Sequence, residues 1–167
     1  MNLQNEPIDS IEVSISKQEL KGVNCKGDVV FLTRIATAKN GIGQKFGSEC
    51  TPLGLHRIRA KIGADQPVNT VFIGRRPTGE IYCEALNQRH PNRDWILTRI
   101  LWLCGNESGF NRGGDVDTQR RFIYIHGCPD SHAMGVPSSH GCIKMRNSEI
   151  IDLFERVSVG TTVSIVE

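Results

Sequence analysis

Residues 121–145 read RFIYIHGCPDSHAMGVPSSHGCIKM. The opening Arg121–His126 combines aromatic and β-branched side chains and reads as a strand. The segment Gly127–Cys142 that follows has neither helical nor strand period. Within residues 125–145 stand His126, Cys128, His132, His140 and Cys142, three of the five histidines and two of the six cysteines of the chain. A buried imidazole needs hydrogen-bond partners, so core packing does not explain this crowding. It implies a concave polar site at the end of a β-strand.

Reading outward, the rest of the chain is also rich in strands. Ile11, Val13 and Ile15 alternate, Asn24–Asp28 reads as a turn, and Val29–Ala36 reads as the partner strand of a hairpin. Residues 39–54 form a Gly-rich loop ending in Thr51-Pro52-Leu53-Gly54, and short strands are expected at Leu55–Lys61, Thr70–Gly74 and Ile81–Ala85. After the break at residues 86–93, Asp94–Leu103 is apolar around most of its circumference and predicts a buried helix stopped by Gly105. The polar stretch 105–120 has the length of a lid or binding loop. Asn147 is expected to cap a second helix, with Ile150, Ile151, Phe154 and Val157 on one face and Glu149 in its first turn. Thr161–Val166 is the last strand. The expected fold is a mainly β domain, a curved sheet or sandwich-like barrel carrying two α-helices. Residues 1–10 are read as a loose arm, residues 11–167 as one domain, and residues 86–120 as a helix-plus-loop insertion and lid candidate.

The 167 residues suit one core, and a formal net charge of +2 gives no reason to invoke nucleic acid or an anionic membrane. The stretch MNLQNEPIDSIEVSISKQEL has no basic start followed by an apolar run, and no segment approaches a membrane span. The cytosol is therefore the expected compartment, or the periplasm should a leader precede this sequence. With no CxxC pair among the six cysteines, Cys25, Cys50, Cys83 and Cys104 are expected as reduced, buried structural residues.

Cys142 follows the small-residue turn Ser138-Ser139-His140-Gly141, where Gly lets the backbone approach a ligand. A thiol becomes a nucleophile only with a base nearby, and His126 at a strand end is a rigid place to hold one. The turn's N–H groups would serve as an oxyanion hole. Acyl transfer is the chemistry this pairing points to. Zinc is the rival, since five N and S ligands are at hand, but their spacings match no common zinc pattern and no metal or other cofactor is expected.

The spacing His126-Gly127, a gap, then Ser139-His140-Gly141-Cys142 resembles the signature of the L,D-transpeptidase catalytic domain, the YkuD domain. Ile11–Leu20 is similar to that family's opening strand and Thr51–Gly54 to its TP-x-G turn. Asp94–Gly105, Arg121–Gly127 and Val157–Val166 are also similar, so the resemblance covers nearly the whole chain. It implies Cys142 as nucleophile, His126 as base and the Gly127 carbonyl as the group orienting that base. It further implies His140 and Gly141 as turn and oxyanion-hole positions, with Ser139 steadying the turn. Tyr124, His132, Lys144 and Arg146 are candidates for substrate contact, weighed for the two cations against ordinary solvated charges. Cys128 stands where relatives commonly carry Thr and is an oxidation liability beside the site.

The resemblance implies a peptidoglycan stem peptide as substrate, cut between the L-centre of a diamino acid and a terminal D-Ala through a thioester. Water as acceptor makes an L,D-carboxypeptidase, expected here in muropeptide recycling. A second stem's amine makes a transpeptidase that forms 3→3 cross-links. A catalytically inactive peptidoglycan-binding module is the alternative of another class. Carbapenem-type β-lactams are expected as covalent inhibitors.

Overall fold

The computed structural model describes residues 5–167. Ten strands form one sheet: β1 (Ser10–Ser14), β2 (Glu19–Val23), β3 (Val29–Arg34), β4 (Gly54–Ile62), β5 (Thr70–Ile73), β6 (Arg76–Ile81), β7 (Ile96–Gly105), β8 (Tyr124–Cys128), β9 (Ile143–Arg146) and β10 (Thr162–Val166). Two α-helices, α1 (Glu84–Arg89) and α2 (Asn147–Arg156), complete the elements, with a 3₁₀ turn at Gly114–Val116. The strand order is β3-β2-β1-β10-β4-β7-β5-β6, and a branch leaves β7 through β8 to β9. The mainly β fold with two helices is the expected class.

One of the helices lies elsewhere than expected. Asp94–Leu103 is not helical: Ile96–Gly105 is the longest strand, paired with β4, β5 and β8 at the centre of the sheet. A strand buried on both faces is apolar all round, so its pattern mimics a buried helix. A bulge adds to the ambiguity: the β7–β8 register shifts between Leu97 and Ile100, and Thr98 takes φ +73°. Thr98 and Arg99 have no partner on β8, so the ladder is interrupted there. The true first helix is α1, in the stretch read as a break, where Leu86 is buried and Asn87 Oδ1 accepts from Trp95 Nε1 at 3.0 Å. Residues 86–120 are therefore no insertion, because the central strand runs through them.

Other boundaries shift too. The partner of β3 is β2, which lies between it and β1, so two hairpins replace one. The strand expected at Ile81–Ala85 begins earlier, as β6, and ends at Ile81. The arm is held from Glu6 onward: Ile8 is buried, its N–H donates to Arg156 O at 2.9 Å, and Asn24 Nδ2 donates to Glu6 Oε2 at 2.7 Å. The remainder of that arm, residues 1–4, lies outside the described residues.

α2 packs on β7, β8 and β9 through Ile150, Leu153, Phe154 and Val157, an i, i+3, i+4, i+7 stripe. Asn147 does not cap it, for the N-cap position is Arg146 and the Asn147 carboxamide turns into the protein. Strand alternation then sorts β8 and β9. Ile125, Ile143 and Met145 enter the main core, where each fully buried side chain contributes roughly 1.5–3 kcal/mol. Tyr124 and Cys142 face the opposite side, against Phe72, Ile100 and Trp102. That second face carries the chemistry.

Candidate active site

β8 and β9 run parallel, with Ile125 beside Ile143 and His126 beside Lys144. Side chains two apart share a face, so Tyr124, His126, Cys142 and Lys144 all project away from the main core. His126 and Cys142 line one cleft of about 500 Å³, together with Arg75, Asp94, Arg121 and Tyr124. A cavity of about 550 Å³ lined by Glu19, Arg34 and Arg146 lacks both residues.

His126 is buried, and its Nδ1 lies 2.7 Å from the Gly127 carbonyl. A carbonyl only accepts, so Nδ1 carries the proton and Nε2 keeps its lone pair. Burial holds the imidazole below its ordinary value, and the nearby Lys144 ammonium acts in the same direction against Asp94 and the Gly127 bond. A neutral base results. Gly127 has no room for a side chain: a Cβ there would meet Asn147 Oδ1 at 2.5 Å and Leu97 O at 2.7 Å. Asn147 in turn accepts from Thr98 Oγ1 at 2.6 Å and donates to Cys128 O at 3.0 Å. The bulge in β7 thus braces the strand end that orients the histidine.

The Cys142 sulfur sits between two main-chain groups. The Tyr124 N–H donates to it at 3.3 Å and the thiol donates to Phe122 O at 3.4 Å. Burial pushes the thiol up to about 12, only partly offset by the Tyr124 amide and Arg121. Among the described residues no hydrogen bond joins Cys142 to His126. The resting pair is a neutral imidazole on β8 and a neutral thiol on the residue that precedes β9.

The turn before Cys142 is tied on both sides. Ser139 Oγ donates to Cys142 O at 2.5 Å and accepts from Gly141 N–H at 3.2 Å. Gly141 has φ +131°, and a Cβ would stand 3.1 Å from Ile123 Cδ1 and 3.2 Å from Cys50 O, so glycine is required. Thr51 Oγ1 donates to Gly141 O at 2.9 Å and accepts from Ala38 N–H at 3.0 Å. The residue read as part of a turn is a direct support of the Cys142 loop. Because Ser139 occupies the Gly141 N–H, the amides left to face a developing oxyanion are those of His140 and Cys142, which have no protein acceptor among the described residues.

The remaining candidates separate. Tyr124 lies in the cleft, its hydroxyl accepting from Arg75 Nη1 at 3.1 Å. His140 is exposed on the rim, 3.9 Å from Asp94 Oδ2. Lys144 is buried rather than solvated, bonded to Ser138 Oγ at 3.1 Å, and burial lowers its ammonium. His132 lines an adjoining cavity with Lys144 and not the Cys142 cleft, and its buried Nδ1 has no hydrogen-bond partner among the described residues. Arg146 is exposed, bonded to Asp130 O at 3.3 Å, and outside the cleft. Cys128 is buried against Met145 O at 3.5 Å with its thiol raised by burial to about 11, so it is no oxidation liability at the site. Cys25 and Cys83, expected inside, are exposed, and Cys50 is half-exposed. No group of three or more His, Cys, Asp or Glu among the described residues is placed to hold a metal ion.

Arg75, Arg121 and Asp94 were not among the expected site residues. Arg121 belonged to the predicted strand, but its role depends on reaching Gly43 O, Ser48 Oγ and Cys50 O across the fold.

A family model described as the L,D-transpeptidase catalytic domain, YkuD, matches residues 8–165. The probable L,D-transpeptidase YbiS of Escherichia coli strain K12 is 43% identical over 47 residues, 28% of this chain and 15% of its own length. The chain thus matches only a small part of that curated relative. Among solved structures, the L,D-transpeptidase LdtMt1 in complex with imipenem superposes with a TM-score of 0.56 at 19% identity, over 93% of this chain and 57% of that one. L,D-transpeptidase 3 from Mycobacterium tuberculosis, in complex with a faropenem-derived adduct, gives 0.55 at 15% identity, over 96% and 61%. At such identity the structural likeness speaks for the fold.

Proposed function

Because the chain belongs to the L,D-transpeptidase catalytic-domain family, we propose that it is a cysteine acyl-transfer enzyme acting on peptidoglycan stem peptides. One observation carries this reading: His126 on β8, fixed by Gly127, and Cys142, the residue before the parallel strand β9, open onto one cleft. The Cys142 thiol leaves the Phe122 carbonyl and gives its proton to His126 Nε2. The thiolate attacks the carbonyl between the diamino acid and the terminal D-Ala, and the oxyanion is met by the His140 and Cys142 amides. His126 returns the proton to the departing D-Ala amine, leaving a thioester. Water then attacks with His126 again as base, releasing the shortened stem and the free thiol.

Hydrolysis is the outcome we favour, because soluble muropeptides in a reducing compartment offer water, and no polymeric wall, as the acceptor. Two thiols exposed at Cys25 and Cys83 fit a reducing compartment, so the cytosol and soluble muropeptides are the setting we propose. Pure protein incubated with L-Ala-γ-D-Glu-diaminopimelate-D-Ala should yield tripeptide and free D-Ala, followed by mass. Cys142→Ala should abolish this turnover while stem-peptide binding persists. Cross-linked dimer without tripeptide would instead establish the transpeptidase. Carbapenem treatment should add drug mass at Cys142, a prediction supported by the complex of the similar LdtMt1 with imipenem.

A further inference from the structure

We propose that Arg75 grips the free carboxylate at the substrate's C-terminus, so that Cys142 attacks the last peptide bond of a stem rather than an internal one. The inference rests on the stem-peptide reading above and deepens it. Arg75 lines the same cleft as Cys142. Its guanidinium lies 4.6 Å from the Trp102 ring centroid and 4.9 Å from that of Phe122, and Nη1 donates to Tyr124 Oη at 3.1 Å. Among the described residues that is its one protein hydrogen bond, and no carboxylate pairs with it.

Phe122 and Tyr124, whose side chains hold the guanidinium, are also the residues whose main chain holds the sulfur. Cation and nucleophile are therefore referenced to the same three residues of chain. The other cations near the site are committed. Arg121 spends its donors on Gly43, Ser48 and Cys50, and Lys144 is buried against Ser138 outside the cleft lining. Of the two arginines that line the cleft, Arg75 is the one that keeps donors of its planar fork free for a two-oxygen anion.

Its backbone adds an independent observation. Gly74 and Arg75, at φ +55° and +64°, form the two-residue turn between β5 and β6. Both central positions of such a turn favour Gly, Asn or Asp, and an arginine there carries left-handed strain with no local reason. Placement over the two rings supplies one. An internal peptide bond would present an amide where the carboxylate belongs and leave the fork unpaired, which disfavours internal cleavage.

The test compares the tetrapeptide ending in D-Ala with the same peptide ending in D-alaninamide. The rate of Cys142 acylation is read by intact mass and by release of the leaving group, before any acceptor is chosen. Wild type should acylate roughly 10- to 100-fold faster with the free acid. Arg75→Gln should bring the acid-to-amide ratio down towards one, with Arg75→Lys intermediate. Equal losses on both substrates, or none on either, would overturn the assignment. So would a wild type indifferent to the amide, which would leave the stem-peptide reading intact. An acyl-enzyme that passes to an amine rather than water removes the hydrolase reading and leaves the Arg75 comparison standing. A wild type inert towards both peptides overturns both.

Discussion

At Cys142, the Tyr124 amide and the Phe122 carbonyl hold a neutral thiol in reserve. Burial keeps it so, since a thiolate there would be stripped of water with only one amide and the more distant Arg121 in compensation. Iodoacetamide on the substrate-free protein should therefore label exposed Cys25 and Cys83 first at pH 7, with Cys142 about tenfold slower or more and still accelerating at pH 10. Peptide mass mapping reads the order, and Cys142 labelling first would show a resting thiolate instead. The residues legible in the sequence were those whose type announces chemistry, His126 and the Ser139–Cys142 turn. Arg75 was not legible, because its meaning lies in Trp102, Phe122 and Tyr124, which only the folded sheet brings to it. Lys144 misled in the other direction: a lysine is ordinarily solvated, and nothing local said that β9 would bury it.

Among the elements, β7 is where sequence and fold part company, and it also aligns the site. Its bulge at Thr98 hid the strand period and at the same time sends the threonine hydroxyl to Asn147, which bears on Gly127. Strands with clean alternation or turn punctuation, such as β4, β5 and β10, were readable for the opposite reason. Gly127→Ala should cost roughly 1–3 kcal/mol in urea unfolding, since Asn147 Oδ1 is held by Thr98 Oγ1 and Leu97 O belongs to the main chain of the central strand β7. Turnover should fall further than stability explains, because the carbonyl that orients His126 belongs to the displaced residue. A variant as stable and active as wild type would mean that the strand end has slack.

For the whole molecule, acid is the predicted weakness. His56 is fully buried in β4, its Nδ1 donating to Gly54 O at 3.0 Å and its Nε2 accepting from Thr118 Oγ1 at 2.9 Å. Burial lowers it to about 4, whereas the unfolded chain titrates at 6.5. Between those values the unfolded state binds the extra proton, so stability is full above 6.5 and is lost as pH falls towards 4. His126, also lowered by burial, acts with the same sign. Unfolding free energy should drop by about 2 kcal/mol from pH 7 to pH 5. His56→Gln should flatten that slope even if it lowers stability at neutral pH, and an unchanged slope would place the acid sensitivity elsewhere.

The position of β10 has a consequence for synthesis. Residues 162–166 sit between β1 and β4, parallel to the first and antiparallel to the second. While a ribosome is still making α2, both of those strands present bare edges to one another across an empty slot. Such edges invite pairing with another nascent chain. The sheet can close only when residues 162–166 emerge, so its middle is completed after both of the strands that flank it.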